Sequence, residues 1–363
     1  GGIYGTEVQE LTREPEQTEK CEIWQTAIGL QDVDGLKTSA YLLDTAKGHI
    51  EGKISINEAQ RRIQNYYEER SERLEVQAET KEADIVSARI AMLLGERTFQ
   101  FSPVELLTIH RRLFEGVFEH AGRIRPYNIS KREWVLKGDS VIYAACDSIK
   151  DTLEYDFYTE KQFSYEGLSL QESVKHLAKF TSDIWQIHPF CEGNTRTTAV
   201  FVIKYMKTFG LEVSNDVFAE HSWYFRNALV RANYNNLKNG IHATTEYLEL
   251  FFSNLLLNTN YELKNRYIHV DYESTLETGD FQSEMKNVLK GKNFTLNFTL
   301  EELAILRLIA EDPAITQKEI AVKIGKSDRT VKNKMAILQD KQYIRRMNGK
   351  RNGRWEILVE LPS

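Results

Sequence analysis

A helical apolar pattern runs from Leu168 to Trp185, is broken at His188-Pro189, and resumes at about Thr195 to continue to Lys207. That interruption constrains the fold more than any other feature of the chain. Proline lacks a backbone donor and pushes the residue before it out of the helical region, so His188 has to end the first helix. Glu192-Gly193-Asn194 must then turn the chain tightly into a second one. A helix start of this kind leaves backbone N–H groups unpaired and facing outward, where a phosphate can bind. Arg196, in the first turn, adds a fork of donors to the same anion. Glu192 is a hard oxygen ligand of the type Mg²⁺ accepts when phosphates fill its other positions. His188, neutral near physiological pH, can take a proton from an incoming hydroxyl. Base, metal ligand, anion turn and cation within nine residues point to phosphoryl or nucleotidyl transfer.

A single His beside Pro-Phe is ordinarily a satisfied core residue, and none of these residues outweighs that reading alone. Their order does. The run His188-Pro189-Phe190-Cys191-Glu192-Gly193-Asn194-Thr195-Arg196 resembles the signature of the Fic family, His-x-Phe-x-Asp/Glu-Gly-Asn-Gly-Arg-x-x-Arg. Two positions depart: Thr195 replaces a Gly, and Ala199 stands where the final Arg belongs. Upstream, Ala121-Gly122-Arg123-Ile124-Arg125 resembles the family's Ala-Gly-x-x-Arg stretch. The resemblance implies that His188 is the base and that Glu192 binds Mg²⁺ bridging the α- and β-phosphates. It implies an anion hole at Gly193, Asn194 and Thr195, Arg196 on the β-phosphate, and Phe190 as the loop's anchor. Tyr224 is the candidate to line the base pocket. The implied reaction moves AMP from ATP to a hydroxyl side chain of a target protein. Without an Arg at 199, the grip on the γ-phosphate is missing.

The 363 residues fit two or three domains, and 41% hydrophobic with 28% charged residues allows a sizeable core. No apolar run approaches the roughly 20 residues of a membrane helix. No secretory segment precedes the first periodic stretch, and Cys21, Cys146 and Cys191 lack metal spacing, so a cytoplasmic protein with free thiols is expected. Helical spacing predicts helices over Val33–Ile50, Ile56–Glu75, Glu82–Leu94, Pro103–Phe118, Ser169–Trp185, Thr195–Phe209, Trp223–Leu237 and Thr245–Leu257. Asn128–Tyr143 breaks the pattern, with two β-prone runs around Lys137-Gly138-Asp139 that predict a hairpin. By resemblance this is a flap that holds the target's modified segment by strand addition, through Ile129, Trp134, Val135, Leu136 and Tyr143.

Between Gln317 and Trp355 twelve Lys and Arg stand against three Asp and Glu, while the whole chain carries −6. This basic module reads as helices over Thr299–Ala310, Gln317–Ile324 and Ser327–Lys341, then a hairpin, and is similar to a winged helix. Arg329, Lys332 and Lys334 on its third helix, and Lys350, Arg351 and Arg354 on its wing, could meet a DNA backbone. A protein-docking face is the other reading. Near the N terminus, Glu51-Gly52 and Ser87-Ala88-Arg89-Ile90 each match part of the inhibitory motif of antitoxin-type domains that accompany some Fic proteins, and neither matches all of it.

The expected fold is mainly α: a Fic-fold helical bundle with a β-hairpin flap, plus a small α+β winged helix. Expected boundaries are an antitoxin-like region at 1–95, the Fic core at 96–266, a linker at 267–292 and the winged helix at 293–363. The expected function is a protein adenylyltransferase using ATP and Mg²⁺. It would act on a target protein docked on the flap, with DNA as a further partner, no membrane, and room for a homo-oligomer. The rival is a winged-helix DNA-binding regulator whose Fic body is vestigial or senses a nucleotide.

Overall fold

The computed structural model describes residues 16–69, 76–213, 216–272, 298–347, 349 and 353–362. The chain opens with α1 (Gln17–Gly29), a 3₁₀ turn (Leu30–Asp34), α2 (Ala40–Ile50), α3 (Ile56–Glu68) and α4 (Val76–Gly95). The expected single helix over Val33–Ile50 is therefore two elements. Gly35, at φ 70°, ends the 3₁₀ turn, and Ser39 restarts the helix by accepting from the Leu42 N–H. Ser39 also donates to Asp84 through its N–H at 2.8 Å and its hydroxyl at 2.6 Å, which ties the start of α2 to α4. Ser55 caps α3 through the Glu58 N–H, as the sequence predicts.

The body continues with α5 (Pro103–Phe114), α6 (Ile149–Gln162), α7 (Leu170–Ile187), α8 (Asn194–Lys207), α9 (Val217–Ala232), α10 (Glu246–Leu257) and the short α11 (Asn265–Ile268). Ser169 and Glu172 form a capping box at the start of α7. Every residue of α8 from Asn194 to Met206 is buried, so this helix is the axis of the bundle. A helix apolar or buried on all sides has to be wrapped by others, and α5, α7 and α4 pack directly on α8. The N-terminal helices are part of the same body: α1 packs on α4 and on α9, and the Leu30–Asp34 turn lies against α8 and α9.

The segment 128–143 differs from the hairpin expected of it. It reverses direction, with the Glu133 N–H donating to Asp139 O at 3.0 Å and the Gly138 N–H to Glu133 O at 2.9 Å. Trp134–Leu136 forms one 3₁₀ turn, and no strand ladder is present. Val135 and Leu136 explain this, because both are buried and pull the tip into the core. The Val270 N–H donates to Val135 O at 3.0 Å and Lys137 pairs with Asp271, pinning the reversal from outside.

After residues 273–297, α12 (Leu300–Glu311), α13 (Gln317–Ile324) and α14 (Asp328–Asp340) lead to β1 (Ile344–Met347) and β2 (Arg354–Ile357). The strands pair antiparallel with Ile344 opposite Ile357 and Met347 opposite Arg354, the only sheet among the described residues. Thr299, Thr316 and Ser327 cap the three helices, and Gly325 at φ 68° closes the second. This unit sits on the body. A Cβ at Gly210 would meet Ile324 at 2.8 Å and Ala304 at 3.3 Å. Among the described residues no helix is long and apolar enough to cross a membrane.

Candidate active site

His188 ends α7 in the left-handed region, at φ 52°, and Pro189 after it bars continuation of the helix. Its Nδ1–H donates to the Trp185 carbonyl at 3.0 Å, so Nε2 carries the free lone pair. Nε2 is buried without a partner. The ring is 1% exposed, stacked on Tyr143 at 3.9 Å between centroids and edge-on to Trp185 at 5.0 Å. Burial, followed by the positive charge of Lys131, holds its pKa well below the usual imidazole value. The result is a neutral base with one unused acceptor, its ring face covered by Tyr143.

The turn that follows is held in shape by side chains rather than by chance. Asn194 clasps it, accepting from the Phe190 N–H at 3.0 Å and donating to Phe190 O at 2.7 Å. Gly193 sits at φ 80°, where a Cβ would meet the Phe114 ring at 2.4 Å. Thr195 accepts from Trp185 Nε1 at 2.9 Å and so joins the first turn of α8 to α7. Phe190 stacks on His110 at 3.7 Å. His110 accepts from the Gly122 N–H at 2.9 Å and therefore donates from Nε2 to the Glu192 carbonyl at 2.8 Å. Burial pushes its pKa down to about 4, so this tautomer is fixed and neutral.

Arg125 completes the frame. Its guanidinium donates to the carbonyls of His188 (2.6 Å), Ile187 (3.2 Å), Tyr127 (2.9 Å) and Ala144, and its N–H donates to Pro189 O at 2.8 Å. One buried arginine thus fastens the base, the end of α7 and both ends of the 128–143 segment. Gly122 has no room for a side chain, since a Cβ would lie 2.6 Å from the Arg111 Cβ. The Ala121–Arg125 stretch is therefore a brace for the loop.

Arg196 is buried and held by acids and an amide of the N-terminal region. Its Nε lies 2.8 Å from Asp34, Nη1 donates to Gln31 at 2.9 Å and Nη2 to Glu82 at 2.8 Å. Its guanidinium also lies 4.9 Å from the Phe114 ring centroid. Asp34 bridges onward to Arg226 Nη1 at 2.9 Å, and Arg226 is gripped by Glu133 at 2.8 and 3.3 Å. The two acids answer Arg196 differently. Burial raises Asp34, but Arg196 and Arg226 together outweigh it and its pKa falls; at Glu82 burial wins over the single arginine and the pKa rises. The Glu192 carboxylate is exposed and makes no hydrogen bond or ion pair among the described residues. No group of three or more His, Cys, Asp or Glu suited to a metal exists among them. A cation here would fit only the arrangement in which one carboxylate and a substrate's phosphates share the ligation.

Other expected residues are placed as follows. Tyr224 lies in the core near Phe251 and donates to Tyr247 O at 3.0 Å. Val135, Leu136 and Tyr143 are buried, Ile129 is half-buried, and Trp134 is exposed with its ring against His269. Ala199 is fully buried within α8. Glu51 is at the surface beside Lys53 at 2.9 Å. Arg329, Lys332 and Arg354 are exposed; Lys334 is mostly buried in an ion pair with Glu166 at 3.2 Å. Lys350 and Arg351 lie outside the described residues. Sequence reasoning missed Gln31, Asp34, Glu82, His110 and Arg226. Arg226 falls inside an ordinary amphipathic pattern, and its partners lie 93 and 192 residues away, which no local spacing signals.

Parts of the chain are similar to known proteins. The Fic/DOC family model matches residues 100–206, and the winged helix-turn-helix DNA-binding model matches 302–345. A protein adenylyltransferase of Bartonella henselae is 24% identical over 198 residues, 50% of this chain and 36% of that protein, so the chain spans about a third of the relative's length. Among solved structures, the VirB-translocated effector BepC of Bartonella tribocorum with bound AMPPNP is 21% identical (TM-score 0.38, 48% of this chain, 86% of that one). A Fic family protein from Desulfovibrio desulfuricans G20 is 13% identical (TM-score 0.43, 99% of this chain, 93% of that one). The chain therefore carries a Fic/DOC-family domain across residues 100–206 and a winged helix-turn-helix domain across 302–345.

Proposed function

We propose that this protein is a Fic-type adenylyltransferase that moves AMP from ATP to a hydroxyl side chain of a target protein. The observation that carries the reading is His188: a neutral imidazole with an unpartnered Nε2, set directly before a clasped turn whose amides open onto the start of α8. The name of the Bartonella henselae relative supports the same group transfer. In this reaction the target oxygen attacks the α-phosphorus while its proton passes to His188 Nε2, and the bond to pyrophosphate breaks. Amides around Gly193, Asn194 and Thr195 face the transferring phosphate, and Arg196 serves the β-phosphate once released from its present partners. Glu192 would hold Mg²⁺ with those phosphates, and the bound ion would neutralise charge on the leaving pyrophosphate. Positioning and fixed charge supply most of the catalysis in such a step. Tyr143 stacks on the face of the His188 ring and leaves the in-plane lone pair of Nε2 to a hydroxyl, so the 128–143 segment beside it is the natural seat of the target.

The winged helix supports a DNA partner, because Arg329, Lys332 and Arg354 are exposed on its third helix and wing. The three cysteines are unpaired, which fits a reducing cytoplasm. Intact-mass spectrometry of cell proteins after incubation with ATP and Mg²⁺ tests the main reading. Adducts of one AMP should appear with the wild type and be absent with His188→Ala. No adduct with either, or equal adducts with both, would overturn it.

A further inference from the structure

The Asp34 carboxylate lies between two guanidinium groups, 2.8 Å from Arg196 Nε and 2.9 Å from Arg226 Nη1. Two arginines converging on one oxyanion is how proteins hold phosphate. Both are oriented by other groups. Gln31, Glu82 and the Phe114 ring set Arg196. Glu133, itself buried, takes the Nε and Nη2 edge of Arg226, which leaves Nη1 facing Asp34 and the Val33 carbonyl at 2.8 Å. Burial opposes the charge on Asp34 and the two arginines overcome it, so the position stabilises an anion. The carboxylate is carried at the end of the short Leu30–Asp34 turn, beside Gly35 at φ 70°. Arg226 comes from α9, and Ala199 on α8 offers no cation to the same space.

We propose that Arg196 and Arg226 form a two-arginine clamp for the nucleotide's phosphates beyond the α position, and that Asp34 occupies this clamp as an internal stand-in. Nucleotide entry then requires Asp34 to leave. The inference rests on the reading of the His188 loop as a nucleotide site, and it assigns to Arg226 a grip on phosphate that position 199 does not provide.

Titration calorimetry of the full chain with ATP and with AMP, both with Mg²⁺, tests it on the wild type, Asp34→Asn, Arg226→Gln and Arg226→Lys. Asp34→Asn keeps the shape and removes the competing charge, so ATP should bind about tenfold tighter, the scale of one hydrogen bond to a charged group, with AMP unchanged. Arg226→Gln should weaken ATP by about tenfold and leave AMP alone, with partial recovery in Arg226→Lys. Should Arg226→Gln lose its melting transition, Asp34→Asn and Arg226→Lys decide the matter. ATP affinity equal in wild type, Asp34→Asn and the folded Arg226 variants overturns the clamp and leaves the nucleotide site standing. An equal loss of ATP and AMP in the Arg226 variants also overturns it. No ATP binding even in Asp34→Asn overturns both the clamp and the nucleotide site.

Discussion

His188, Gly193 and Asn194 can be read from the sequence because their roles are local. Pro189 fixes where the helix stops, the loop needs a residue that tolerates positive φ, and Asn194 closes a ring four residues wide onto Phe190. His110 and Asp34 could not be read, since each looks ordinary until the fold brings it to the loop. The protonation state of His188 has a measurable consequence. A folded pKa depressed by burial keeps the base neutral through the range where a free imidazole would titrate, at about 6.5. The pH profile of kcat/KM should therefore show no acid limb at that value, and a limb there would place His188 in a wetter, charged state. Arg125 is the second residue to test. Arg125→Met leaves several buried carbonyls without donors, each costing about 1–3 kcal/mol, so a loss of at least about 3 kcal/mol in stability is expected. Chemical denaturation measures it, and a loss under about 1 kcal/mol would mean the brace is redundant.

Among elements, the strongly periodic or well-capped helices lie close to where spacing and caps predict them, α7, α10, α13 and α14 most closely. The N-terminal α1 escaped because only Ile23, Trp24 and Ala27 mark its buried face among many polar residues. In α6 the exposed Tyr155 and Tyr158 blur the stripe made by Ile149, Leu153 and Phe157. The hairpin over 128–143 was expected from β-prone residues, and tertiary burial of Val135 and Leu136 overrode that preference. Surroundings likewise separate Asp34, set between Arg196 and Arg226, from Glu51. Among the described residues Glu51 pairs with Lys53 and Lys47 at the surface, where solvent screens such pairs. Glu51→Gly should leave transfer rate and melting temperature essentially unchanged. A strong gain of activity in that variant would show that the element around residue 51 reaches the site in another conformation.

At the scale of the whole molecule, the basic charge gathered after Gln317 marks a separate module, but the sequence gives no sign of how it attaches. The structure seats it through Gly210 against Ile324 and Ala304, and through Lys334 on Glu166. That ion pair withholds one cation of the third helix from any phosphate backbone. Glu166→Gln should free it, raising DNA affinity at low salt and steepening the dependence of log K on log salt by about one unit. An unchanged slope would mean that Lys334 does not face DNA, and no DNA binding at low salt would leave the module as a protein-docking domain.

Adenylyl transfer through His188 requires attack on the α-phosphorus. Parallel reactions with ATP labelled at the α or the γ phosphate, run with wild type and His188→Ala, test it most directly. Protein labelling should come from α-labelled ATP only, falling by about 10²–10⁴-fold in His188→Ala, the usual cost of removing a general base. Label from the γ phosphate, or α-label transfer that survives His188→Ala undiminished, would contradict it.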